Sequence, residues 1–315
     1  MCSVAQEEGL GLIVVGLGGI GAATAFQLAS RGERVLGFDA HQPGHKLGSS
    51  HGRTRVVRQA YFEGLEYVTL ARRAWHLWAR LEEQSDCALL NRAGFLVMGP
   101  QDVGVETVAR SAEAALVNDL PHDDLDGEGI TSRFPALHVP ASWRGILEHE
   151  AGFVDPELAI RVQLQLAAER GADLRYGERV MSFEREGEGV TVRTDRGRYL
   201  ADRLVLAVGP WAPGMLASLG LPIQATRKVV VHFEPDSAER FSPEGLPPFF
   251  FALEDREVYG LPFLPGWGVK VARHDGGEVC TPETARREVD EAEVDDLRSV
   301  LDAYLPGSAG PVLEH

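Results

Sequence analysis

The chain has 315 residues, 44% of them hydrophobic, with 47 acidic against 31 basic side chains and a formal net charge of −16. That length can bury a core and form two domains, while the acidity excludes a nucleic-acid binder that depends on a basic surface. Cys2, Cys87 and Cys280 give neither a disulfide framework nor a zinc pattern. No apolar run reaches the ~20 residues of a membrane span, and the N-terminus lacks the basic and apolar regions of a secretory signal. A soluble protein of the cytoplasm is expected.

The first element is an apolar, β-branched run, Leu10 to Val15, suited to a strand buried on both faces. Gly16, Gly18 and Gly21 follow as G-x-G-x-x-G, with Gly19 inside the loop. A helix is expected from Ala22 to Ala29, closed by Gly32, and then a strand from Arg34 to Phe38 that ends at Asp39. Strand, glycine turn, helix, strand and acid come in the order of the dinucleotide fingerprint. The helix N-terminus offers free N–H groups to a diphosphate, and Asp39 offers a carboxylate to ribose hydroxyls, which disfavours a 2′-phosphate. The motif alone leaves FAD and NAD both open.

Next come Gly48 to Arg58, where Arg53, Arg55 and Arg58 crowd beside His51. His41, His45 and His51 lie in a Gly/Pro-containing loop without ligand spacing, and the Glu148-His149-Glu150 run is likewise not read as a metal site. Apolar residues at 67, 70, 71, 74, 75, 78 and 81 predict a helix over Tyr67 to Leu81, with Trp75 and Trp78 toward the core. A second helix is capped by Asp155, takes Pro156 into its first turn and stops at Gly171. A meander turning near Gly187 and Gly197 then leads into a buried strand, Leu204 to Val208, ending at Gly209. A meander inserted in the nucleotide domain favours FAD over NAD, because an NAD dehydrogenase more often continues in regular β-α-β alternation. Strands and proline-rich turns are expected from Ile223 to Lys270, and by alternation Lys270 faces away from Val269 and Val271. The last helix is expected to start at Thr281 and Pro282 and to stop at Pro306.

Taken together, "VVGLGGIGAATAFQLASRGERVLGFDA", "GSSHGRTRVVRQAY", "AGFVDPE", "LVLAVGPWAP", "VYGLPFLPGWGVKVARH" and "LDAYLPG" resemble the monomeric sarcosine oxidase and N-methyltryptophan oxidase family. These are FAD-dependent amine oxidases related to D-amino-acid oxidase. The resemblance implies an α/β fold with a Rossmann-like FAD-binding domain, residues 1–60 and 150–220, interrupted by a sheet-rich α+β substrate domain, residues 61–149 and 221–315. It implies FAD contacts at Gly16, Gly18, Gly19, Gly21, Asp39, Ser49, Ser50, His51, Arg55, Val180, Gly209 and Trp211. Arg55 corresponds to an arginine beside the flavin ring, and Arg58 to the arginine that grips the substrate carboxylate. Tyr259 and His274 match residues of the substrate cavity, and Lys270 the lysine that serves the reaction with oxygen. Arg53 takes no role from the family and is expected at the surface.

The implied reaction is oxidation of the C–N bond of a secondary amino acid such as sarcosine, with O2 giving H2O2, in a monomer without metal or membrane partner. An FAD dehydrogenase, an oxidase of pipecolate, N-methyltryptophan or a glycated amino acid, and a non-catalytic nucleotide-binding protein stay open as alternatives. The family attaches FAD to a cysteine soon after the segment matching "YLPG" and continues with a glycine-rich segment. This sequence ends at "GSAGPVLEH" with neither, so it reads as C-terminally truncated and non-covalent binding is expected.

Overall fold

A computed structural model describes residues 10–101 and 105–315. Two large sheets organise them. The first has six strands in the order Val180–Glu186, Gly189–Thr194, Arg198–Leu206, Leu10–Val15, Val35–Asp39 and Asp173–Tyr176. Leu10–Val15 pairs in parallel with both neighbours, Val35–Asp39 and Arg198–Leu206. Ile13 and Val14 are fully buried, as expected of a strand covered on both faces. The helices Gly19–Ala29 and Pro156–Glu169 pack together on one face, joining Ala22, Ala25 and Phe26 to Ile160, Leu164 and Ala167. Asp155 caps the second of these helices by accepting from Leu158 N at 2.9 Å, as its sequence predicts. The meander turns where expected, at Gly187 (φ +61°) and beside Gly197.

The second sheet has eight strands: Val312–Glu314, Val230–Phe233, Gly268–Arg273, Glu257–Leu264, Phe249–Ala252, Phe95–Pro100, Trp143–Glu148 and His122–Asp126. The largest core lies against it and gathers Leu96, Met98, Phe233, Phe249 and Phe251 with Leu297, Val300 and Leu301 of the helix Glu291–Tyr304. A small sheet of Arg55–Val57, Gly152–Val154 and Leu90–Asn91 joins the arginine segment to the strand before the Pro156 helix.

Two expectations are corrected. The helix Glu66–Ser85 buries Val68 and Leu81, but Tyr67 and Leu70 are exposed, so the buried stripe is narrower than the apolar pattern. Trp75 and Trp78 pack half-buried against core residues. The final helix begins at Glu291 and not at Thr281. The physical reason is Arg227, whose guanidinium takes the carbonyl oxygens of Arg286 and Glu288 at 2.7 Å each and the Glu293 carboxylate at 2.5 Å. Carbonyls held by a distant side chain in this way do not join a helix ladder, leaving only a turn at Thr281–Thr284.

Glu293 also accepts from Asp290 N at 2.9 Å, which starts the helix. The hydrogen bond from Arg227 leads in holding the Glu293 carboxyl down to about 2, against an ordinary value of 4.5. Its stabilising share is therefore complete above about 4.5 and is lost as pH falls from there toward about 2. With solvent screening of this half-buried carboxylate, Glu293→Gln is expected to cost about 1 kcal/mol in urea unfolding at pH 7 and almost nothing near pH 2. An equal loss at both pH values would contradict the ion-pair account.

Candidate active site

Gly16 is the hinge of the glycine loop: its φ is +86°, and an added Cβ would meet Ala207 O at 2.4 Å. Gly21 lies behind the loop, where a Cβ would fall 1.7 Å from Gly16 O. Gly21→Ala is thus expected to cost about 3 kcal/mol by overpacking, read as a lowered Tm; an unchanged Tm would mean that helix and strand are not held at this contact. Above the loop the space is open, since a Cβ on Gly18 would meet only Ser50 Oγ, at 3.5 Å. Gly18 offers no side-chain cap, so the positive end of the helix faces this space, with Gly19 N donating to Ser50 Oγ.

A groove of about 430 Å³ runs past this helix end. Gly16, Gly18, Gly19, Asp39, Ser49, Ser50, His51, Val180, Gly209 and Trp211 all line it, whereas Gly21 supports the loop from behind. Asp39 accepts from Leu17 N and His41 N, both at 2.8 Å, one on each oxygen. Each oxygen keeps a further acceptor position, as ribose hydroxyls require. Ser50 Oγ accepts from Gly19 N at 3.1 Å and so ties the glycine loop to the arginine segment. Trp211 Nε1 donates to Glu283 at 3.1 Å, and its ring faces His41. Helix end, acid and apolar walls fit a dinucleotide with its diphosphate on the helix. No group of three or more metal-ligating side chains converges among the described residues.

The arginine segment carries the site from this groove toward the eight-stranded sheet. Arg55 Nη2 donates to Ser49 O at 2.9 Å and His51 O at 3.3 Å, so it braces the serine loop from outside the groove lining. Arg53 is exposed, 3.6 Å from Asp155 and over the Trp267 ring, in keeping with its expected surface position. Arg58 is 10% exposed, with its guanidinium over Tyr61 at 4.2 Å and Phe62 at 4.3 Å. It donates to Ala60 O at 3.1 Å and to Glu63 at 2.5 Å. Phe62 leads on to His274 (5.9 Å between ring centroids), and His274 to Tyr259 (6.5 Å). His274 is exposed, whereas Tyr259 is half-buried and burial pushes its hydroxyl up.

Lys270 is 6% exposed in the strand Gly268–Arg273. It faces away from the flanking valines, yet not toward solvent, because both faces of this strand are covered. Its Nζ donates to Thr54 O at 3.0 Å and Thr54 Oγ1 at 3.3 Å. Burial, and then the charge of Arg55, push the ammonium down to about 7. Thr54, Tyr61, Phe62 and Glu63 are site residues that the sequence reasoning missed. Thr54 lies inside the Ser-His-Gly-x-Thr-Arg segment, and the other three come just after Gln59 and Ala60.

A glycine loop, a helix end and an acid lining one groove are the features of an oxidoreductase that holds a dinucleotide cofactor. The profile of the FAD dependent oxidoreductase (DAO) family matches residues 12–315. The chain belongs to this family. It is 38% identical to monomeric sarcosine oxidase of Streptomyces avermitilis over 307 residues, 96% of this chain and 79% of that protein. It is 34% identical to N-methyl-L-tryptophan oxidase of Salmonella arizonae, covering 95% of this chain and 80% of that one. Among solved structures, the amino acid oxidase NikD of nikkomycin biosynthesis superposes with a TM-score of 0.82 at 26% identity, over 98% of this chain and 80% of that one. No helix among the described residues is long and apolar enough to cross a membrane.

Proposed function

We propose that the protein oxidises the C–N bond of a small N-methyl amino acid of the sarcosine type, using FAD and O2 and releasing H2O2. The observation that carries this reading is Arg58, a nearly buried guanidinium with aromatic rings on its face and a carboxylate already on one edge. Such a fork takes an amino-acid carboxylate bidentately, which a point charge does not. FAD, when bound, takes the hydride equivalent from the carbon beside nitrogen and passes the electrons to O2.

The residues of this chain supply the rest. The glycine loop and helix end hold the diphosphate, Asp39 holds the ribose, and Ser49, Ser50, His51, Val180, Gly209 and Trp211 line the groove along the cofactor. Arg55 brings a positive charge to the ring end, Tyr259 and His274 wall the substrate cavity, and Lys270 supplies charge where oxygen is reduced. Residues 1–60 and 150–220 form the FAD-binding domain in this reading, and 61–149 with 221–315 the substrate domain, with residues 1–9 and 102–104 outside the described residues. Neither Cys87 nor Cys280 lines the groove, so the contacts that the described residues offer FAD are non-covalent. The imine product hydrolyses in water, which for sarcosine gives glycine and formaldehyde.

The test is a peroxide-coupled assay of the FAD-loaded protein with sarcosine, other N-methyl amino acids, proline and glycine. Turnover is expected to be highest for a secondary amine that carries a carboxylate. Equal rates on amines without a carboxylate would overturn the reading. Acid precipitation of the loaded protein is expected to leave the yellow colour in solution; colour in the pellet would show a covalent link.

A further inference from the structure

The Glu148-His149-Glu150 run has no part in the reaction as described so far. Glu148 ends the strand Trp143–Glu148 and is 3% exposed. Its two oxygens accept from main-chain groups of the arginine segment: Oε1 from Gln59 N at 2.6 Å and Oε2 from Ala60 N at 3.0 Å. Gln59 Nε2 adds bonds to Glu150 O at 2.9 Å and to its carboxylate at 3.2 Å. Arg58 Nη1 in turn donates to Ala60 O at 3.1 Å, so the guanidinium leans on one of the two residues that Glu148 holds.

We propose that Glu148 is a positioning residue for substrate binding: by clamping the Gln59–Ala60 segment to the eight-stranded sheet, it fixes the direction in which Arg58 presents its guanidinium. The inference rests on the reading of Arg58 as the carboxylate grip. A buried carboxylate is costly unless its acceptor positions are used, and here both oxygens are occupied by the segment it holds.

The clamp is sensitive to pH in the physiological range. Burial pushes the Glu148 carboxyl up to about 7, opposed by the amides of Ala60 and Gln59 and by the charge of Arg58, and assisted by Glu150. Across the sheet Glu148 pairs with Phe95 on one side and His122 on the other, and the His122 ring is held on Leu120 O. A proton on Glu148 turns one acceptor into an O–H aimed at an N–H, and one of the two bonds is lost. The same proton removes a negative charge that competes for Arg58. The direct bonds outweigh this through-space effect, because both are short and fully buried. Substrate affinity is therefore expected to fall as pH drops through about 7.

The experiment is calorimetric titration of the FAD-loaded protein with methoxyacetate, the ether analogue of sarcosine, from about pH 5.5 to about pH 8.5. Methoxyacetate keeps the carboxylate and has no amine to titrate or oxidise. Wild-type affinity is expected to weaken about tenfold on the acid side. Glu148→Gln is expected to bind about tenfold more weakly at alkaline pH and to show no such step, while kcat at saturating substrate stays within about threefold. Titration of Lys270 weakens anion binding in the opposite direction and is common to both proteins. Wild-type affinity that is flat or rises toward acid, or a Glu148→Gln profile identical to wild type, overturns the clamp. The wild-type profile needs no substitution, so a poorly folding variant does not spare the proposal. Arg58→Gln serves as reference: if it loses binding at every pH while Glu148→Gln does not, Glu148 alone is misassigned. If it binds like wild type, the reading of Arg58 fails and the clamp with it.

Discussion

Replacing Lys270 by Met is expected to lower kcat/KM for oxygen by about 10²–10³-fold, while kcat/KM for the amine changes by no more than about tenfold. The argument begins with burial. Lys270 lies in a strand covered on both faces, and Thr54 accepts hydrogen bonds from its ammonium. In such a site a charge acts at low effective dielectric, and a fixed cation stabilises negative charge far better than it does in water. Burial and Arg55 hold the ammonium at about 7, so near neutrality it is poised between its two forms. Negative charge appearing beside it favours the protonated form. In the proposed role, Lys270 offers an ammonium that developing negative charge on oxygen favours, and Met, similar in length but neutral, does not. Oxygen uptake at varied O2 and varied amine separates the two constants. A Lys270→Met enzyme impaired equally toward both reactants would show that the residue organises the site as a whole.

Arg58→Gln is expected to raise KM for a sarcosine-type substrate about 10²-fold, a loss of about 3 kcal/mol, with a smaller change in kcat. The guanidinium has little solvent to fall back on: Tyr61 and Phe62 cover its face, and Ala60 O and Glu63 each accept one of its N–H groups, leaving others for a substrate. A neutral amide in its place leaves Glu63 without its cation and the substrate carboxylate without its fork. Arg58→Lys restores the charge but not the two parallel donors, and is expected to recover only part of the affinity. Steady-state kinetics with a carboxylate and a non-carboxylate amine provide the check. If both substrates lose equally, Arg58 supports the fold of the segment and does not grip the carboxylate.

What could be read from the sequence depended on how locally each feature is determined. The glycine loop, its helix and Asp39 follow rules that span about one βαβ unit, and they formed as expected. The Asp155 cap and the turn at Gly187 are more local still. The start of the last helix was not legible, because Arg227 acts on it from 59 to 66 positions away. Glu148 was not legible as a partner of the arginine segment for the same reason: its two amide bonds span 89 and 88 positions. Alternation gave the direction of Lys270 relative to Val269 and Val271, but it carries no information about what lies over that face of the sheet. Tyr67 and Leu70 show the converse, since an apolar period does not reveal whether a partner is present to cover it.

The hydrogen bond from Gly19 N to Ser50 Oγ bears on how this scaffold can adapt to new substrates. Through it, and through the hold of Arg55 on Ser49 O and His51 O, the segment from Ser49 to Arg58 is tied to the groove at one end and, in the proposed reading, serves the substrate at the other. A substitution that reshapes this segment for a bulkier amino acid also disturbs the nucleotide loop. Phe250, Tyr259 and His274, which stand on or just beyond strands of the eight-stranded sheet, take no part in the Gly19–Ser50 bond. In the proposed reading, a change of substrate size made in the arginine segment therefore carries a cost in cofactor binding that a change at Tyr259 or His274 does not carry through this bond.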